Sequence, residues 1–205
     1  MRTILLTFCL FMGTILSAQN NVLIEIENAN AAYKVITGDF VRTQTNVAKG
    51  TSIKANGTLY IVGEDQMAQY YKAPSTDLLI INGNDFYMIR GKKTNKFNTE
   101  KNKTMRSLRN TLLYCVHGKP MELATENGAE ITAEKKENEY EVVLISTKKT
   151  ARGYAKIVLT YDLKSKLLTK MQMDEYNGNS TLYEMNNLKT NGNIDAKVFD
   201  IPEKK

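Results

Sequence analysis

The chain has 205 residues, 42% of them apolar and 24% charged, with 12 Gly and only 3 Pro. This suits one globular domain and excludes collagen-like and wholly disordered classes. Two cysteines cannot staple a disulfide scaffold, and a formal net charge of +6 is too mild by itself to mark a nucleic-acid binder.

Arg2, the apolar stretch from Ile4 to Leu16 and the small residues Ser17-Ala18 before Gln19 have the layout of a secretory signal peptide, assigned to residues 1–18. The apolar run is shorter than the roughly 20 residues of a membrane span. Leu6-Thr7-Phe8 before Cys9 lacks the small residues of a lipid-attachment site. The sequence therefore predicts a soluble, exported protein of the bacterial periplasm, with a single domain over residues 19–205. Removal of Cys9 leaves Cys115 with no partner for an intramolecular disulfide.

Val22, Ile26, Ala29, Tyr33 and Ile36 recur at helical spacing, with Gly38 as a stop signal. Strands are predicted over Phe40 to Thr45, Ile53 to Val62, Gln66 to Lys72, Leu78 to Ile81 and Phe86 to Arg90, the last two joined by Asn82-Gly83-Asn84. Met105, Leu108, Leu112 and Cys115 return to helical spacing before Gly118. Further strands follow over Glu130 to Glu134, Tyr140 to Ser146, Tyr154 to Tyr161, Leu167 to Tyr176 and Thr181 to Leu188. Ala155, Ile157, Leu159 and Tyr161 fall on one strand face, as do Leu167, Thr169, Met171 and Met173, which is the pattern of an antiparallel sheet with one covered side. Nine or ten strands and two helices fit an α+β domain, a strongly curved antiparallel sheet with helices over its apolar face.

Enzyme signatures are missing. His117 is the single histidine, there is no Gly-x-Ser-x-Gly elbow, and no glycine-rich phosphate loop occurs. Cys115 and His117, two apart on a helix, face different ways, so Cys115 reads as a small hydrophobe and His117 as a cation at the helix C-terminus. No catalytic residue, metal site or cofactor is assigned. Seven of the nine methionines and a large set of tyrosines remain beyond the leader. They suit either ordinary core filling, which composition alone favours, or an adaptable cavity. Arg90, Lys92, Lys93, Lys96, Lys101, Lys103, Arg106 and Arg109 form a basic run broken only by Glu100. Behind a signal peptide this points to anionic lipid or an acidic protein rather than nucleic acid, the alternative being a solvated loop.

Several short motifs share an order. Gly38-Asp39-Phe40 with Gln44 is followed by Gly57-Thr58-Leu59-Tyr60-Ile61, then Tyr70-Tyr71-Lys72-Ala73-Pro74, then Leu79-Ile80-Ile81-Asn82-Gly83 and Phe86-Tyr87. Leu167-Leu168-Thr169-Lys170-Met171 leads into Asn177-Gly178-Asn179, and the chain closes on Asn193-Ile194 and Val198-Phe199-Asp200-Ile201-Pro202. In this order the chain resembles the LolA-like periplasmic lipoprotein carriers. The resemblance implies an incomplete antiparallel β-barrel with helices as a lid over a hydrophobic cavity. It also implies binding of lipoprotein acyl chains, received from an inner-membrane lipoprotein-releasing transporter and passed to an outer-membrane acceptor, by a monomer without catalysis. A LolA-like sensor or protein-docking module is the alternative. The family's basic-Arg-Pro turn after the Gly-x-Leu strand is replaced here by Val62-Gly63-Glu64-Asp65, so gating by that arginine does not carry over. With strand parity choosing the faces, the cavity lining is assigned to Leu59, Ile61, Tyr70, Ile80, Phe86, Met88, Leu108, Leu112, Leu159, Met171 and Met173. Partner docking is assigned to Arg90, Lys92, Lys93 and Lys96.

Overall fold

Short turn-linked strands of alternating polarity pair here into one antiparallel sheet. A computed structural model describes residues 20–148 and 153–201, and the leader assigned to residues 1–18 lies outside them. After helix α1 (residues 20–31) come β1 (Val35–Asn46), β2 (Thr51–Val62), β3 (Gln66–Tyr71), β4 (Leu78–Asn82), β5 (Asp85–Arg90) and β6 (Lys93–Asn98). Helices α2 (Lys103–Val116) and α3 (Pro120–Asn127) follow, then β7 (Ala129–Lys135), β8 (Glu139–Ser146), β9 (Tyr154–Asp162), β10 (Leu168–Glu175), β11 (Ser180–Thr190) and a 3-10 turn, Ala196–Phe199.

The order across the sheet is β6-β5-β4-β3-β2-β1-β11-β10-β9-β8-β7. Two meanders thus meet at a β1–β11 seam, with Val41 opposite Glu184 and Phe40 opposite Met185. The outer strands β6 and β7 do not pair with each other, so the barrel stays open. One face carries Phe40, Leu59, Met67, Phe86, Val142, Leu159 and Met171 into a single buried cluster with Val22, Leu23 and Ile26 of α1, Leu112 of α2 and Leu123 of α3. Burying this face is the main force holding helices to sheet.

The first helix is shorter than its periodicity suggests. It ends at residue 31, and Ile36 reaches the core from β1. The Asn30 side chain donates to the Ile26 carbonyl at 2.9 Å and to the Lys166 carbonyl at 2.7 Å, tying the last turn to the β9–β10 connection. Val35, Ile36 and Thr37 are β-branched and enter the strand. Gly38 is therefore no helix cap. It lies at a bulge in the β1–β11 pairing, where a Cβ would stand 2.7 Å from the Leu188 side chain.

Eleven strands and three helices are present among the described residues, against nine or ten strands and two helices anticipated. The extra strand, β6, is polar and forms a sheet edge, where lysines discourage pairing with another chain. The extra helix, α3, is short and starts at Pro120, whose fixed φ suits a first helical position.

Gly57 explains the glycine of the Gly-x-Leu motif. A Cβ there would fall 2.2 Å from the Tyr70 carbonyl and 2.7 Å from the Phe40 ring, which itself packs edge-on against Tyr71 at 5.0 Å. Gly57→Ala should destabilise the protein by at least the roughly 1–3 kcal/mol typical of overpacking, read as a lower urea midpoint, whereas Gly192→Ala, with open space around it and no left-handed backbone, should lose much less.

Candidate functional site: the concave face and the cleft beside α2

Nine of the residues assigned to the cavity lie on the concave side. Leu59, Ile61, Phe86, Leu112, Leu159, Met171 and Met173 are buried in the main cluster, and Met88 and Leu108 are half-buried at its margin. The other two assignments are corrected by the register. Ile80 pairs with Ala68 and Tyr87, Tyr70 pairs with Leu78, and all five belong to the opposite face of the sheet. There the C-terminal turn covers them through Phe199 and Val198, and the Tyr70 hydroxyl donates to the Val198 carbonyl at 2.8 Å. The closing motif of the chain is thus a cover for the outer side of β3–β5.

Among the described residues the interior is closely packed where α2 ends. Between Ile36, Leu59, Ile61, Val116, Leu168 and Met185 only about 10 Å³ remains open. Two clefts flank the first half of α2. A cleft of about 420 Å³ is bounded by Lys103, Met105, Ser107, Leu108, Gly153, Tyr154 and Glu175. On the other side, about 280 Å³ is bounded by Ser107, Glu126, Ala129, Leu144, Tyr154 and Ile157.

The sequence of α2 causes this asymmetry. Asn102 caps it, accepting from the Met105 amide at 3.0 Å, and the first turns offer only Met105 and Leu108 to the sheet. The buried run begins at Thr111 and continues through Leu112, Leu113, Cys115 and Val116. The far end is held by the Tyr161 hydroxyl donating to the Cys115 carbonyl at 2.9 Å. The middle is held by Arg109 Nε donating to the Gly83 carbonyl at 2.8 Å. One half is anchored and the other rests over open space.

The residues assigned to docking lie along β5–β6 and the turn between them. Lys92 and Lys93 are exposed, Lys96 pairs with Asp85 at 2.8 Å, and Arg90 Nε lies 3.9 Å from Asp77. The β2–β3 turn, which lacks the family's arginine, carries Glu64, paired at 3.0 Å with Lys119 of the α2–α3 connection. Turn and helices are thus linked through a pair exposed enough to contribute little stability.

The family model "Outer membrane lipoprotein carrier protein LolA" matches residues 31–202. No curated protein matches the chain. Among solved structures, MucB superimposes with a TM-score of 0.53 at 14% identity, over 92% of this chain and 64% of that one. The MucA/MucB complex of Pseudomonas aeruginosa gives 0.51 at 9% identity, over 90% and 61%. A DUF1329 family protein from Desulfovibrio piger gives 0.51 at 10% identity, over 91% and 97%. This chain spans under two thirds of the MucB length, and these likenesses establish the fold. Among the described residues no helix is long and apolar enough to cross a membrane.

Cys115 and His117 sit where α2 ends. Cys115 is buried, and burial pushes its thiol well above the ordinary range. His117 is the C-cap, but it is not the cation anticipated from its position. Burial, helped by Lys119, pushes its pKa down to about 4, and its Nε2 has no hydrogen-bond partner. The helix C-terminus favours a cation, yet desolvation outweighs it here. Between about pH 4 and pH 6.5 the unfolded chain binds a proton that the folded imidazole refuses, so stability from this residue is full above pH 6.5 and falls as the pH falls toward 4. The unfolding free energy from urea titrations should drop more between pH 7 and pH 4.5 for the wild type than for His117→Gln, by roughly 2–3 kcal/mol at most.

Proposed function

Since the chain belongs to the LolA family of outer membrane lipoprotein carrier proteins, we propose that it is a periplasmic carrier that takes up lipoprotein acyl chains, or the chains of a related lipid, without catalysis. The observation that carries this reading is the cleft beside the first half of α2, whose Met105, Leu108 and Tyr154 pack against the apolar cluster behind it. An acyl chain entering there gains about 0.8 kcal/mol per buried CH₂. The filled interior means that α2 must lift for a whole chain to be accommodated, its unanchored half moving first. Met171, Met173, Met185 and Met88 then offer adaptable surface to chains of differing shape. Export through the leader, an inner-membrane lipoprotein-releasing transporter as donor and an outer-membrane acceptor belong to this proposal.

A docking role is the second reading, favoured by the same filled interior and by the fold shared with MucB, which is solved in complex with MucA. Native mass spectrometry of gently extracted protein separates the two: co-purifying lipid supports the carrier, and an empty chain bound to a protein partner supports docking.

Met105→Asp together with Leu108→Asp should weaken binding of a fluorescent fatty acyl probe at least about tenfold, the equivalent of a few CH₂ groups, with little change in melting temperature. Leu112→Asp is a poor test, because a carboxylate in the filled interior should unfold the protein. Unchanged probe affinity in the double variant would place the chain elsewhere.

Docking to the donor is assigned to the β5–β6 turn. Lys92→Glu with Lys93→Glu should slow loading and flatten its salt dependence, since exposed charges act over about 8 Å at physiological ionic strength. Stopped-flow transfer from donor vesicles at low and high salt measures both. Equal rates for wild type and variant under both conditions would reduce these lysines to edge protection.

A further inference from the structure

We propose that Arg42, at the margin of the concave face, recognises the oxyanion at the head of an acyl ligand, so that the protein favours anionic amphiphiles over neutral ones. The inference rests on the carrier reading for the acyl part of the ligand and adds the head group.

Arg42 pairs across the sheet with Tyr183 on β11 and Ala55 on β2, and therefore shares the face of Phe40, Met171 and Leu159. It is a cation on an otherwise apolar row. Its guanidinium lies over the Tyr71 ring, 4.7 Å from the centroid, and Tyr71 is in turn held edge-on by Phe40. This contact seats the guanidinium against the ring. Among the described residues Arg42 has no ion pair, and its Nε is buried without a hydrogen-bond partner. A half-buried guanidinium left unsatisfied is costly, and its planar fork matches a carboxylate or phosphate.

There is room for that partner. A cleft of about 440 Å³ opens at Arg42, lined also by Lys54, Lys72, Arg90, Ala55 and Asp77. Lys72 is engaged by Asp39 at 2.9 Å, and Asp77, the carboxylate of the cleft, lies 3.9 Å from Arg90. The balance of the lining stays positive. A recess of about 30 Å³ continues from Arg42 past Tyr71, Leu79 and Met88, which are part of the apolar cluster or packed against it. The head site thus adjoins the apolar cluster of the concave face.

The test uses dodecyl phosphate, laurate and neutral methyl laurate, each below its micelle concentration, with inorganic phosphate as the headless control. Binding is read calorimetrically on the wild type, Arg42→Gln and Arg42→Lys. We expect the two anions to bind at least about tenfold tighter than methyl laurate, as one charge-assisted hydrogen bond implies. That preference should shrink toward one in Arg42→Gln and remain partial in Arg42→Lys, which keeps the charge but loses the fork. The better of the two anions identifies phosphate or carboxylate as the preferred head. Equal binding of all three chains to the wild type, or a preference that survives Arg42→Gln, overturns the head-group site and leaves the carrier reading standing. Inorganic phosphate binding as tightly as dodecyl phosphate also overturns it, in favour of a free-anion site. Failure of every chain to bind sinks the carrier reading itself. Should Arg42→Gln not fold, the wild-type preference must still weaken with added salt, and a salt-independent preference rejects the proposal.

Discussion

The β1–β11 seam joins what would otherwise be two separate meanders. Residues 35–98 build one half of the sheet and residues 129–190 the other, and the halves meet where the first strand pairs with the last. Phe40 stands at this seam, opposite Gly57 on one side and Met185 on the other, with Tyr71 and Tyr183 against its ring. The concave face exists as one surface only because this pairing aligns its rows, from Arg42 through Tyr183 and Met171 to Leu159. Pairing such distant parts of the chain requires closing a long loop, which slows folding.

Once the rows are aligned, the apolar surface must be covered from within the chain. The three helices cover the concave side, and the last residues of the described chain cover the outer side of β3–β5. The sheet is therefore two-sided in its first half and largely one-sided in its second. This division leaves the first half of α2 as the least committed cover, since Met105 and Leu108 are the only apolar residues it lowers toward the sheet before Thr111.

The same division decides what could be read from the sequence. In β8–β10, where one side faces water, alternation placed Leu159, Met171 and Met173 on the concave side. In β3 and β4 it failed for Tyr70 and Ile80, because Met67, Ala68 and Gln69 are all buried, as are both Ile80 and Ile81. Parity carries no information when both faces are covered, and the segment responsible, Ile194 to Phe199, lies far along the chain. Helical periodicity ran past the true end of α1 because Tyr33 and Ile36 are apolar at the right spacing. Nothing local reveals that Asn30 closes the helix by reaching Lys166. The polar edge strand β6 and the short helix α3 had too few apolar residues to announce themselves, while Arg42 sat unremarked in a strand pattern because its face depends on pairing with Tyr183. The fold class was legible, whereas the state of the interior was not, since packing density depends on side chains from all eleven strands and three helices at once.

Cys115 gives this architecture a built-in clock. It is the free cysteine of the described chain, buried under α2 with its thiol held protonated by desolvation. The closed protein is consequently inert to oxidants and to thiol exchange. Reaction requires the anchored end of α2 to come away from the sheet, so the rate at which a thiol reagent consumes Cys115 reports how often that end opens, without a label introduced anywhere in the molecule.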